Sequence, residues 1–303
     1  MKRDKIIIGS RGSKLALIYS SKVKAQIIKN LPINVEIKPI VTAGDINQKD
    51  RLSDVGGKGM FSKKIEIELL ENKIDLAVHA LKDMPSIETD GLMTNCFLKR
   101  NYPNEILISK NNIKFNELKS KSIIGTSSFR REYQLKQKRE DLIYKLIRGN
   151  VDTRIKKLND GLYDAIILSK AGIDTLNLNK YITQEFSVEE IIPSVGQGAI
   201  AVQCRKNDNE INEILKKINH DKTNVCVTAE RELLKTLEGD CNTPVGAISI
   251  LNENYITLSA ELFSVDGKNR YFVKDTKSLN LAKELGNGIG EVLKEKSKGS
   301  YKK

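Results

Sequence analysis

The chain has no tryptophan, and aromatic residues of all kinds make up 5% of its 303 positions. That scarcity weighs against nucleic-acid binding, which a net charge of +12 would otherwise invite. Long hydrophobic runs are also missing: no segment approaches the ~18 unbroken apolar residues of a membrane helix. The start MKRDKIIIGSRGSK is basic but holds only three isoleucines before Gly9, too few for a signal-peptide core, so a cytosolic protein is expected. Cysteine is sparse. Cys96, Cys204, Cys226 and Cys241 form no CxxC pair, and His79 and His220 show no metal-type spacing, so neither disulfides nor a metal are expected.

What remains is a composition of 39% hydrophobic and 30% charged residues, enough to bury a sizeable core over two or three domains. The positive charge has two readings: lysine-rich solvated helix faces, or a polyanion surface. Most lysines are scattered at helical spacing, but five of the twelve arginines fall between Arg130 and Arg154. Guanidinium suits bidentate capture of carboxylate or phosphate, so anionic ligands are favoured.

Strand and helix patterns alternate through most of the chain. KIIIGS, VEIKPIV, DLAVHAL, DLIYKLI and DAIILSK read as strands; SKLALIYSSKVKAQIIKN, FSKKIEIELLENK and VDTRIKKLNDG read as helices. From Thr223 the style changes to a helix reaching Leu237, then PVGAISIL, YITLSAELFSV and NRYFVKD as antiparallel strands, and a closing helix. The tail KSKGSYKK is expected to be disordered. Two echoes stand out: IIIGSRGSKLAL with SIIGTSSFRREYQL, and KIDLAVHALKD with LYDAIILSKAG. They predict two similar α/β lobes with a ligand cleft between them. In each, a strand delivers Gly and a hydroxyl residue to a helix N-terminus. Simple N-capping explains that pattern, and so does anion capture, which Arg11 in one copy and Arg130 and Arg131 in the other favour.

Five further stretches could carry chemistry. HALKDMP sets Lys82 and Asp83 just past an apolar strand, where open α/β sheets face their crevice; Asp83 is equally at home as a turn residue before Met-Pro. GGKGMFSKK lacks P-loop spacing and reads as a mobile loop covering a cleft, with Lys58 between glycines. RGNVDTR carries Arg148 and Arg154, and PSVGQGAIAVQCR places Gln197 where the chain returns to the first lobe. EGDCNTPVG sets Cys241 among turn formers, poor company for a core residue.

In order along the chain, GSRGSKLAL, VTAGD, GGKGMF, HALKDMP, GTSSFRR, RGNVDTR, PSVGQGAIAVQCR and EGDCNTPVG resemble the porphobilinogen deaminase (hydroxymethylbilane synthase) family, and the resemblance covers nearly the whole chain. It implies an α/β protein of three domains: two lobes like type II periplasmic binding proteins (1–98 with 199–216, and 104–192) and a smaller α/β domain (221–303) bearing Cys241. It implies a dipyrromethane cofactor held by Cys241 through a thioether. The implied reaction joins four porphobilinogen units head to tail, releasing ammonia each time, then hydrolyses the tetrapyrrole free. Carried over by motif, Lys82, Thr126, Ser127, Ser128, Arg131, Arg148 and Arg154 hold the cofactor, while Arg11, Ser13, Lys58, Arg100, Arg130 and Gln197 bind substrate. Asp83 matches the catalytic carboxylate, which stabilises the cationic azafulvene-like species left by ammonia and handles pyrrole protons. Ala80, Asp54 and Thr175 depart from common family residues and bear on the carboxylate contacts. The resemblance implies a monomer with no nucleic-acid or membrane partner. The competing reading from another class is a non-catalytic cytosolic solute-binding protein for a carboxylated ligand.

Overall fold

The computed structural model describes residues 3–46, 59–240 and 242–302. The first lobe begins with β1 (Lys5–Arg11), α1 (Lys14–Asn30), β2 (Asn34–Ile40), the single turn α2 (Ala43–Ile46), α3 (Lys63–Leu70), β3 (Leu76–Ala80) and β4 (Leu92–Phe97). Ile6 and Ile8 of β1 pack on the α1 side of the sheet with Tyr19, Val23 and Ile27, whose four-residue spacing is the buried stripe of that helix. Ile7 faces the opposite side, so β1 is covered on both faces, as a parallel central strand should be.

The second lobe follows with β5 (Glu105–Ser109), β6 (Ile123–Gly125), α4 (Phe129–Lys136), β7 (Ile143–Lys145), α5 (Val151–Asn159), β8 (Ala165–Ser169), α6 (Lys170–Thr175) and β9 (Gln184–Glu185). The chain then returns to the first sheet as β10 (Ile200–Arg205) and its covering helix α7 (Asn209–Ile218). Strand order is β2-β1-β3-β10-β4 in one sheet and β7-β6-β8-β5-β9 in the other. Each has three parallel strands followed by an antiparallel one from the far side of the crossover. The likeness reaches single bonds. Asp75 accepts the Ile7 N–H at 2.8 Å ahead of β3, and Asp164 accepts the Ile123 N–H at 2.7 Å ahead of β8. The two sequence echoes therefore mark one structural unit used twice.

The lobes are joined by two antiparallel crossings around Leu98–Asn104 and Ile192–Ala199. The Asn101 N–H donates to the Gly198 carbonyl at 3.0 Å. Gly198 sits at φ +84°, and a Cβ there would lie 2.5 Å from the Asn101 carbonyl oxygen, so the crossing closes only around glycine.

The third unit has α8 (Asp221–Thr236), the antiparallel sheet β11 (Val245–Asn252), β12 (Tyr255–Phe263) and β13 (Arg270–Ser278), and α9 (Ala282–Ser297). Leu233, Leu258, Leu262 and Leu285 form its dry centre. Truncating such a leucine to alanine costs about 2–5 kcal/mol. The disorder expected of the tail from 296 is overturned through Lys302. Lys298 ends α9 in the left-handed conformation, and Tyr301 turns back into this core, 4% exposed, donating its hydroxyl to the Leu237 carbonyl at 3.0 Å. An apolar ring with a satisfied hydroxyl anchors a tail that its lysines and glycine made look solvated.

Candidate active site

The carboxyl ends of β1, β3, β6 and β8 converge on a cleft of about 590 Å³ between the lobes. Ser13 Oγ caps α1 by accepting the Ala16 N–H at 3.3 Å, and Ser128 Oγ caps α4 by accepting the Arg131 N–H at 3.4 Å. Both hydroxyls cap their helices and also line the cleft.

The floor is built on a residue that the motifs did not single out. Glu105, fully buried at the head of β5, accepts from Arg130 at 2.6 Å with one oxygen and faces Arg131 at 2.8 Å with the other. Gln197 Nε2 donates to the same carboxylate at 3.0 Å and to the Pro103 carbonyl at 2.6 Å. Burial alone would push the Glu105 carboxyl up, but the charges of Arg131 and Arg130 overcome it and hold it at about 2. Its sequence signal was an acid opening the apolar run EILIS, a place where an unpaired charge is not tolerated.

Above that floor the cations crowd. Lys82 lies in the short turn after β3, with its Nζ 3.4 Å from Gln197 Oε1. Burial, then the nearby Arg131 charge, lower its pKa to about 8. Arg154 donates Nε to the Gly149 carbonyl at 2.8 Å, and burial together with Arg131 and Arg148 lowers it to about 10. Three guanidiniums, of Arg131, Arg148 and Arg154, and the Lys82 ammonium face one cavity.

Beside Lys82 in the same turn stands Asp83, about one-third exposed, with a carboxylate oxygen 3.8 Å from Arg11 Nη1. Arg11 is held in turn by Asp45 and stacks over the Phe61 ring at 4.1 Å. Burial pushes Asp45 up, but hydrogen bonds from Arg11 and Thr42 hold its carboxyl below the usual range. Asp45 closes the VTAGD motif, and the structure shows why an acid stands there, since it orients the arginine beside Asp83.

The structure thus brings Arg11, Ser13, Lys82, Asp83, Ser127, Ser128, Arg130, Arg131, Arg148, Arg154 and Gln197 to one cleft. Two expected residues are not on its wall. Arg100 is turned away: its guanidinium grips Glu230 of α8 at 2.6 and 3.1 Å and donates to the Gln197 carbonyl at 2.9 Å, so its charge is met inside the protein. Thr126 is buried behind the wall, where its hydroxyl accepts the Ser128 N–H at 3.2 Å. Arg130 reaches the wall, yet its guanidinium is engaged by Glu105 and the Ile192 carbonyl. Lys58, Asp54 and Cys241 lie outside the described residues. On either side of position 241, Asp240, Asn242 and Thr243 line the cleft.

The other three cysteines are buried, and burial pushes each thiol up to about 12, so none is a nucleophile at neutral pH. Among the described residues no group of three or more His, Cys, Asp or Glu side chains is placed to hold a metal, and no helix is long and apolar enough to cross a membrane.

Fold and site together define a bilobed α/β protein with a cation-lined cleft between its lobes. Residues 6–213 match the family described as porphobilinogen deaminase, dipyromethane cofactor binding domain, and residues 224–295 match its C-terminal domain. A porphobilinogen deaminase of Staphylococcus carnosus is 42% identical over 294 residues, 96% of this chain and 95% of that protein. One from a Geobacillus species is 44% identical over 295 residues, 96% of this chain and 94% of its own. A putative methionine-binding lipoprotein of Bacillus subtilis, a solved structure, aligns over 73% of this chain and 92% of its own at 12% identity and a TM-score of 0.45. The chain belongs to the porphobilinogen deaminase family, transferases of tetrapyrrole biosynthesis that work with a dipyrromethane cofactor.

Proposed function

We propose that this cleft joins four porphobilinogen molecules head to tail, with ammonia released at each addition, and frees hydroxymethylbilane by hydrolysis. The observation that carries the reading is the gathering of Lys82, Arg131, Arg148 and Arg154 around one cavity, with Asp83 beside Lys82. Such a cluster favours an anionic ligand, and the acetate and propionate of each pyrrole supply one.

The same donor set fits a dipyrromethane, whose carboxylates Lys82, Ser128, Arg131, Arg148 and Arg154 would hold. Cys241 is the attachment thiol, since its neighbours Asp240 and Asn242 line this cleft and the other cysteines are sealed in cores. When bound, the cofactor supplies the pyrrole end from which the chain grows. Arg11 and Ser13 receive the incoming substrate beside Asp83. Asp83 stabilises the positive charge that develops as ammonia leaves and takes up the pyrrole proton. Residues 1–98 with 199–216 and residues 104–192 act as the two jaws, and 221–303 as the domain that presents the cofactor. We read the enzyme as a cytoplasmic monomer without a nucleic-acid partner: four of the five arginines between 130 and 154 line the cleft rather than an outer surface.

Intact-protein mass spectrometry tests this directly. The active protein should exceed its sequence mass by one dipyrromethane, and Cys241→Ser should abolish the increment. An unmodified mass in an active preparation would overturn the attachment, and reversible porphobilinogen binding without ammonia release would mark a solute-binding protein instead.

A further inference from the structure

The residues flanking position 241 are braced to one another and tied to the segment that carries Asp83. The entry to this stretch is tight. Glu238 leaves α8 in the left-handed conformation, and the Gly239 N–H returns to the Leu234 carbonyl at 2.9 Å. A Cβ on Gly239 would sit 2.7 Å from Leu234 Cδ1, so the chain passes flush against the helix end. Beyond it, Asp240 and Thr243 cap each other. The Asp240 N–H donates to Thr243 Oγ1 at 3.0 Å, and Asp240 Oδ1 accepts the N–H groups of Asn242 at 2.8 Å and Thr243 at 3.2 Å. One carboxylate oxygen thus spans the position between residues 240 and 242.

The tie to the first lobe is a single side chain. Ser86 donates its hydroxyl to the Gly239 carbonyl at 2.7 Å, and Ser86 is three residues beyond Asp83. From α8, Arg231 reinforces the contact by donating to the Pro85 carbonyl at 3.2 Å. The path from the carboxylate to the thiol-bearing loop therefore runs through a few residues and one short hydrogen bond, without passing through the second lobe.

We propose that Ser86 and Asp240 are positioning residues for the covalent anchor: Asp240 presets the arch around residue 241, and Ser86 keeps that arch in register with Asp83. The inference rests on Cys241 being the attachment thiol. Near-attack geometry is demanding, so loosening the arch slows both attachment and each later addition. Substrate capture, which belongs to Arg11 and Ser13, is unaffected.

The test uses the full chain produced without porphobilinogen, then loaded by adding it, with the mass increment followed over time. Loss of one hydrogen bond of this kind predicts loading about tenfold slower in Ser86→Ala and in Asp240→Ala. Once loaded, both should show a kcat reduced about tenfold with KM for porphobilinogen within about twofold of wild type, the split expected of misplacement rather than lost binding. Ser86→Thr and Asp240→Asn keep a hydroxyl and an amide oxygen in place and should restore loading and kcat. Alanine variants that load and turn over like wild type would overturn the proposal, as would a failure of both conservative variants to restore them. If wild type itself takes no increment on Cys241, the attachment reading fails and this inference goes with it.

Discussion

Glu105 and Arg131 face each other at 2.8 Å in the floor of the cleft, and the second oxygen of the same carboxylate holds Arg130 at 2.6 Å. One fully buried anion thus orients two arginines that line the cleft. Removing one partner from such a buried cluster strands the remaining charges and costs about 3–5 kcal/mol.

Glu105→Gln should therefore be strongly destabilising at neutral pH despite its matching shape. The pH dependence has a definite sign. The folded carboxyl sits near 2 against an ordinary 4.5, so its stabilising contribution is complete above about 4.5 and is lost as pH falls toward 2. That contribution is on the order of 3 kcal/mol. Urea unfolding of both proteins across this window should show their stability gap narrowing as pH drops. A gap that stays constant would mean the charge of Glu105 is not what holds the floor.

Arg154 offers the opposite sign. Burial and its neighbours Arg131 and Arg148 hold its pKa down near 10, so the folded cofactor-free chain is penalised for carrying this charge at any pH below that value. Arg154→Met should melt a few degrees above wild type before cofactor loading, and should load poorly and turn over slowly afterwards. Thermal scans of unloaded and loaded protein check this. A variant less stable than wild type without cofactor would place Arg154 in the framework rather than the ligand site.

The contrast between these residues explains what could be read from the sequence. Ser13, Ser128, Lys82 and Asp83 were legible because local geometry decides them: a strand end followed by a helix start or a tight turn points a side chain at the crevice. Glu105 and Arg100 were not, because each is defined by a partner far away in the chain. Nothing near Arg100 announces Glu230, 130 positions on, or that the pair would lock α8 to the crossing between lobes. The short strands β4 and β5 were invisible for a related reason: they exist as partners of β10 and β8 rather than as strong local patterns. Tyr301 shows the same limit, one aromatic in a lysine-rich tail outweighing the composition around it.

Asp83 separates binding from chemistry. It sits between Arg11 and the Lys82 end of the cation cluster, and it precedes Met84 and Pro85 in a turn that asparagine would also accept. Asp83→Asn keeps size and hydrogen-bonding capacity and removes only the negative charge. With the charge gone, the carboxylate placed to offset the cation left by departing ammonia and to take the pyrrole proton is lost, while Asp45 stays committed to Arg11. Turnover should fall about 100-fold or more, in the range of general acid–base losses. Porphobilinogen should still bind, because Arg11 and Ser13 are untouched. Arg11 loses a neighbour but keeps Asp45, so the wall itself should hold its shape. Steady-state ammonia release from the folded variant, with cofactor loading verified by mass, decides the matter. Turnover within a few-fold of wild type would reduce Asp83 to a turn residue and move the chemistry elsewhere in the cleft.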